Sequence, residues 1–370
     1  MKVTVTKYLN VRVGQPSLNA PCYQYLAPGT ELEVDGILYK GNSIDGSYEG
    51  INTWYKDEAN NYYWSGGFEI AQLNVFDGSI NFDFTPGLKA HWLKDNFDVS
   101  PFWKFATGKG ITVAIIDTGI SPHKDLLDNI DREYEKSFVE SSLLDTDGHG
   151  THIAGIIGAK GRSKMTGVAP DVKLLPLKAY EIHDGEINHH QLAEAIKYAS
   201  SLEHVQIINL SLYIKFNDLV KQAVNGAILK GKIVISSGGN HNSNSVTFPA
   251  SLDNVIAVSA VLRIDDSKEK YRLVHWANYG NRIDTSCVGY DMESCALNGQ
   301  TEPTYGTSMA CAYLSGVMAL RLQYLKDKSR HYSVAQLVQE IRDSSYGEAN
   351  HKTHLNISLP ILSPMKFLTI

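Results

Sequence analysis

Two periodicities divide the chain. Up to about residue 73, short apolar and polar runs alternate between turn signals, among them Pro28-Gly29, Asp35-Gly36, Gly41-Asn42, Asp45-Gly46 and Gly66-Gly67. Short strands at this spacing predict a small all-β barrel over 1–73. Residues 74–104 hold Thr85-Pro86-Gly87 and Pro101 without a sustained period, which marks them as a connector. From 105 to 370 the pattern changes: 111–116, 172–177, 205–212, 233–236 and 255–259 are continuous β-rich apolar runs. Helical periods accompany them over 151–159, 191–200, 219–229 and 309–325. This alternation predicts an α/β domain with a doubly wound, mostly parallel sheet covered by helices on both faces. Active sites on such sheets lie beyond the carboxyl ends of the strands, and Asp117 follows the first run directly.

Composition narrows the class. At 370 residues, 43% hydrophobic and 20% charged, the chain can bury a large core and divide it between two domains. A net charge of -6 without any basic run argues against a nucleic-acid or anionic-membrane partner. No apolar stretch is long enough to span a bilayer. Residues 1–7 alternate like a strand and lack the apolar segment of a signal peptide, which implies a cytoplasmic chain. The four cysteines are read as reduced thiols, with a Cys287 to Cys295 bridge as the alternative.

Three residues carry the chemistry. Asp117 sits in Ile115-Ile116-Asp117-Thr118-Gly119, His149 in Asp147-Gly148-His149-Gly150-Thr151-His152, and Ser308 in Gly306-Thr307-Ser308-Met309-Ala310. Taken singly, they read as a turn aspartate, half of a metal pair with His152, and a helix cap. The metal pair lacks the acidic helper of zinc peptidases. Together they supply what a serine nucleophile needs: a base in hydrogen-bond reach and a carboxylate that orients the base. Ser237-Gly238-Gly239-Asn240 lies between the last two.

The order Asp, His, Ser, with these glycine-rich frames, closely resembles the subtilisin family of serine peptidases. The resemblance implies a triad of Asp117, His149 and Ser308, with Asn240 donating to the oxyanion. It also implies a substrate-binding surface formed by Ser211, Leu212 and Tyr213 together with Gly238 and Gly239. Tyr213 stands where the family has a glycine lining the pocket before the scissile bond, which predicts a narrowed or capped pocket. Cys311-Ala312 and Cys287-Val288-Gly289 depart from the family's usual small residue and proline and its Ala-Pro-Gly. Lys160, Arg162 and Lys164 occupy the stretch where many members carry a calcium loop, so no metal and no cofactor are expected. Asp125 matches a family position that assists calcium and is read here as a surface turn.

Residues 1–73 resemble a bacterial SH3 domain on Leu9-Asn10-Val11-Arg12-Val13-Gly14, Leu26-Ala27-Pro28-Gly29-Thr30, Trp54-Tyr55-Lys56 and Tyr63-Trp64. The resemblance implies a regulatory or targeting domain, with an SH3-domain ligand as a partner beside the protein or peptide substrate. Five basic against eight acidic residues argue against a polyanionic ligand there. Residues 82–92 are read as either a linker or an inhibitory segment across the cleft. The reading reached is a serine endopeptidase. Its alternatives are a dedicated precursor-processing protease or peptide ligase, and an inactive protease fold kept as a binding scaffold.

Overall fold

The computed structural model describes residues 2–5, 9–13, 22–27, 29–34, 39–40, 53–59, 61–64, 68–69, 90, 92–139, 142–162, 165–181, 187–264, 271–346 and 360–370. The chain forms two compact units, Met1–Thr85 and Pro86–Ile370.

The first unit is built from β1 (Lys2–Val5), β2 (Leu9–Val13), β3 (Cys22–Leu26), β4 (Glu31–Glu33), β5 (Tyr39–Lys40), β6 (Thr53–Lys56), β7 (Asn61–Trp64) and β8 (Phe68–Glu69). These pair antiparallel in two sheets, ordered β4-β1-β8 and β3-β2-β7-β6-β5. Val3, Val5, Val11, Trp54, Tyr55 and Tyr62 bury a core of their own. Asp57 closes the β6–β7 turn by accepting from Asn61 N at 2.9 Å and Tyr63 Oη at 2.6 Å. Among the described residues no strand pair joins the two sheets, so the all-β character is present without one continuous barrel sheet.

The second unit follows the alternating pattern. In chain order it contains β9 (Thr112–Asp117), β10 (Lys136–Ser137), α1 (His149–Gly158), β11 (Lys173–Lys178), α2 (His189–Ser201), β12 (Ile207–Leu210), α3 (Asp218–Leu229), β13 (Ile233–Ser237) and β14 (Ile256–Arg263). Then come β15 (Tyr271–Leu273), β16 (Thr285–Val288), β17 (Met292–Cys295), β18 (Thr301–Thr304), α4 (Thr307–Asp327), α5 (Val334–Ser344), β19 (Ser345–Tyr346), β20 (Ile361–Leu362) and α6 (Pro364–Thr369). The main sheet runs β10-β11-β9-β12-β13-β14-β16-β20-β19, with β15 beside β14. Every neighbouring pair is parallel except β14–β15 and β19–β20.

Why the strands read as unbroken apolar runs is visible in their two-residue period. Val113 and Ile115 of β9 point into a core shared with α1 and α4, whereas Ala114 and Ile116 point into the core beneath α2 and α3. Ile233 and Ile235 of β13 likewise face the first core and Val234 the second. Both faces are covered, so neither needs polar residues. Asn188 and Asn217 cap α2 and α3 by accepting from the backbone N–H groups of the first turn. α4 is buried almost all round along its first five turns, as befits a helix enclosed by its own domain.

Several expectations change. The stretch 92–104, read as part of a connector, belongs to the core of this unit: Trp92, Leu93, Phe97, Val99 and Phe102 are buried in it. Trp92 donates from Nε1 to Glu293 O at 2.9 Å, and Tyr313 Oη donates to Phe97 O at 2.7 Å. Phe84 and Pro86-Gly87 lie outside the described residues. Asp125 is fully buried, not a surface turn, because its carboxylate accepts the Arg162 backbone N–H. Cys287, Cys295 and Cys311 are buried free thiols, so the Cys287 to Cys295 bridge is not formed. No helix among the described residues is long and apolar enough to cross a membrane.

Candidate active site

β9 delivers Asp117 to the carboxyl end of the sheet with no exposed surface. A bare carboxylate there would be costly to desolvate. It is met by Thr118 N at 2.8 Å and by His149 Nδ1 at 2.7 Å, both on Oδ1. A carboxylate only accepts, so Nδ1 carries the proton and Nε2 is left as the basic nitrogen.

Glycine makes this approach feasible. Gly148 precedes α1 at φ 102, and a Cβ on Gly150 would lie 2.1 Å from Gly119 O and 3.2 Å from the Asp117 Cβ. Only a residue without that atom lets the first turn of α1 close on the strand end. Asp145 then ties the turn down. Its Oδ1 accepts from Thr118 Oγ1, Asp147 N and Gly148 N at 2.8–3.0 Å. Its Oδ2 accepts from Thr151 N at 2.9 Å and Thr151 Oγ1 at 2.6 Å. The negative charge also suits a helix N-terminus.

Ser308 is the second residue of α4, behind Gly306 as the capping position, and is 9% exposed. Its Oγ donates to Ser211 O at 3.0 Å, and Ser211 Oγ donates back to Ser308 O at 3.0 Å. Asn209 extends this buried network to Ser315 Oγ at 3.0 Å and Cys311 Sγ at 3.3 Å. Asn240 accepts through Oδ1 from Thr307 N and Thr307 Oγ1 at 3.0 and 2.8 Å, which turns its amide nitrogen, the donating end, away from α4's first N–H. His149, Ser308, Asn240, Ser211, Leu212 and Tyr213 line one cavity of about 550 Å³.

The electrostatics make the His149 imidazole hold a proton more tightly than an ordinary histidine does. Burial pulls the His149 pKa down, but the adjacent Asp117 carboxylate, by charge and hydrogen bond, with Asp147 and Asp145 behind it, leaves it above the ordinary value. His152 behaves oppositely: burial takes its pKa down to about 4, and its Nε2 donates to Met292 O at 2.8 Å. The two histidines therefore serve different partners and do not converge as a metal pair. Burial first, and then the Asp117 charge, raise the Tyr180 phenol well above its usual range.

The remaining expected residues fall in two groups. Tyr213 lines the cavity, is 47% exposed and packs edge-on against His241 with ring centroids 4.7 Å apart. Gly238 and Gly239, expected on the substrate surface, are buried and do not line this cavity: a Cβ on Gly238 would meet Ile283 and Val258, and one on Gly239 would meet Asn278 and Thr247. Sequence reasoning missed Asp145, Tyr180, Ile187 and His189, of which the last three also line the cavity. Tyr180 stands two residues past Lys178, the parallel partner of Asp117, so strand register was the signal that could have found it.

Replacing Asp145 by alanine strands the backbone donors of Asp147, Gly148 and Thr151. The expected loss is about 3 kcal/mol of stability, read as a lower urea midpoint at unchanged slope, together with reduced turnover. A loss below about 0.5 kcal/mol would put Asp145 among ordinary surface positions.

The subtilase family model matches residues 108–356. The chain is 33% identical over 270 residues to the minor extracellular protease Epr of Bacillus subtilis (strain 168), covering 72% of this chain and 39% of that protein. It is 33% identical over 250 residues to subtilisin BL of Lederbergia lenta, covering 66% of this chain and 87% of that one. The chain thus spans well under half of the first relative and most of the second. Its fold is similar to the solved structure of sphericase, with a TM-score of 0.58 at 26% identity over 70% of this chain and 91% of that chain. The S41 psychrophilic protease gives 0.58 at 28% identity over 65% and 84%. The matched segment holds Asp117, His149, Asn240 and Ser308 and covers about two thirds of the chain, so the protein belongs to the subtilase family.

Proposed function

We propose that this chain is a serine endopeptidase working through an acyl-enzyme. The observation that carries the reading is the 2.7 Å pairing of buried Asp117 with His149 on the same cavity as Ser308 and Asn240. In the proposed reaction Ser308 Oγ leaves its bond to Ser211 O and attacks a peptide carbonyl, while His149 Nε2 takes its proton. Resting geometry of this kind tightens only when substrate is bound. His149, its charge balanced by Asp117, returns the proton to the leaving amine; water then attacks the ester by the same route and releases Ser308. The Asn240 amide and the N-terminus of α4 stabilise the oxyanion, where one such donor is worth about 3–4 kcal/mol in a subtilisin.

The N-terminal unit is proposed to be an SH3-like module that targets or regulates the peptidase. Its own buried core and the antiparallel pairing of its strands among the described residues support this reading.

The direct test is labelling with a fluorophosphonate followed by peptide mapping. The expected adduct is on Ser308, with Ser308→Ala neither labelled nor able to turn over peptide. Absence of label in folded protein, or turnover at the parental rate by Ser308→Ala, contradicts the proposal and favours a binding scaffold.

Specificity supplies a second test. Tyr213 is proposed to narrow the pocket for the side chain before the scissile bond, on the strength of its place on the cavity wall. Tyr213→Gly should raise kcat/KM for peptides with Leu or Phe there, relative to Ala, by about tenfold, or about 1.4 kcal/mol. An unchanged preference contradicts this pocket assignment.

A further inference from the structure

Behind the sheet end, three chemically different side chains meet out of reach of water. His123 and Asp125 lie in the loop that leaves β9, and Cys295 ends β17. All three have no exposed surface, and their ligand-type atoms lie within 4.8 Å of one another. We propose that His123, Asp125 and Cys295 form a buried site for a thiophilic divalent cation, zinc above all, which fastens the loop after β9 to the β17–β18 hairpin.

The imidazole is already oriented for this role. His123 Nε2 lies 3.0 Å from Gln300 O. A carbonyl only accepts, so Nε2 carries the proton and Nδ1 presents its lone pair to the cluster. Ligating histidines are commonly held by such an outer bond. Nδ1 stands 3.7 Å from Asp125 Oδ2, a separation that suits two ligands of one ion bound at about 2.0–2.1 Å. Its present contact with Asp125 N, at 3.2 Å, is long and easily exchanged.

Donor chemistry sets the class of ion. A thiolate, a carboxylate and a neutral imidazole offset a charge of two, and sulfur with nitrogen selects zinc over calcium or magnesium, which take oxygen ligands. Gly155 in α1 gives the sulfur room, since a Cβ there would lie 2.9 Å from Cys295 Sγ and 2.7 Å from Cys295 N. Three protein ligands leave a fourth position for water or a backbone carbonyl. Binding releases the Cys295 thiol proton to solvent as the metal–sulfur bond forms, with no change of oxidation state. The ion would join the segment leaving Asp117 to the hairpin that leads into Gly306 and Ser308, so its contribution is to stability.

The test uses the full chain, freed of metal by chelation under reducing conditions and titrated with Co²⁺ as a spectroscopic probe. The expected result is one ion per chain with a sulfur-to-cobalt charge-transfer absorption, displaced by Zn²⁺, and a higher Tm with either ion. Binding at His149 would give no sulfur absorption, because its partners are carboxylates. Cys295→Ser should fold with the metal-free Tm of the parent and lose both the absorption and the Tm rise. If that variant does not fold, the stoichiometry and sulfur absorption of the parent, together with their loss in His123→Gln, decide the matter. No sulfur absorption in the parent overturns the proposal, as does its persistence in Cys295→Ser. A Tm raised by Ca²⁺ but not by Co²⁺ or Zn²⁺ overturns it too.

Discussion

One buried carboxylate governs the design of this domain. Asp117 is carried by a strand whose two faces are both covered, so it ends in a place from which water is excluded. A negative charge there is tolerable only with strong donors in fixed positions. Thr118 N and His149 Nδ1 are those donors. Bringing the second one in requires α1 to start against the strand end, and this in turn explains the glycines at 148 and 150 and the clamp at Asp145. The folding constraint and the chemistry are therefore the same interaction: the charge that must be satisfied is also the charge that raises the basicity of His149.

The Ser308 side of the cavity is built by a different device. α4 passes through the core, and its first turn is stitched to the end of β12 by reciprocal bonds between Ser211 and Ser308 and to Asn240 through Thr307. Cys311 sits in this network beside Asn209, where a small residue is usual in the family. A thiol there is a weak acceptor and a small apolar group, which fits a crowded helix start. Burial raises its pKa to about 12, so it stays protonated one turn from Ser308.

How much of this could be read from the chain depended on whether a residue's role was local. β9, β11, β12, β13 and β14 were legible because strands buried on both faces leave continuous apolar runs, and the short frames around Asp117, His149 and Ser308 pointed to residues that the fold gathers at one end of the sheet. Boundaries shifted by a residue or two: α1 starts at His149 and α4 at Thr307, because glycines at 148 and 306 take the capping positions that propensity gives to polar side chains. Asp145 was invisible because an acidic loop residue normally reads as solvated, and its five bonds join residues from three segments. Trp92 to Phe102 looked like a connector because irregular backbone carries no period, although those side chains fill the core beside Tyr313. Asp125 misled for the same reason as Asp145: its surroundings come from residues about 40 and 170 positions away.

The pairing of Asp117 with His149 can be measured through the pH dependence of kcat/KM in the parent and in Asp117→Asn. The groups facing the imidazole are Asp117, Asp147 and Asp145 on the raising side and His152 nearby, which is neutral above about pH 4. Because the base must be neutral to act, the parent should gain activity through a pKa above the ordinary imidazole value of about 6.5. Removing the Asp117 charge leaves desolvation less opposed, so the acid limb should move to lower pH while kcat falls about 10⁴-fold, as in a serine peptidase altered at the same role. An acid limb at the same pH in both proteins would contradict the coupling of Asp117 to His149.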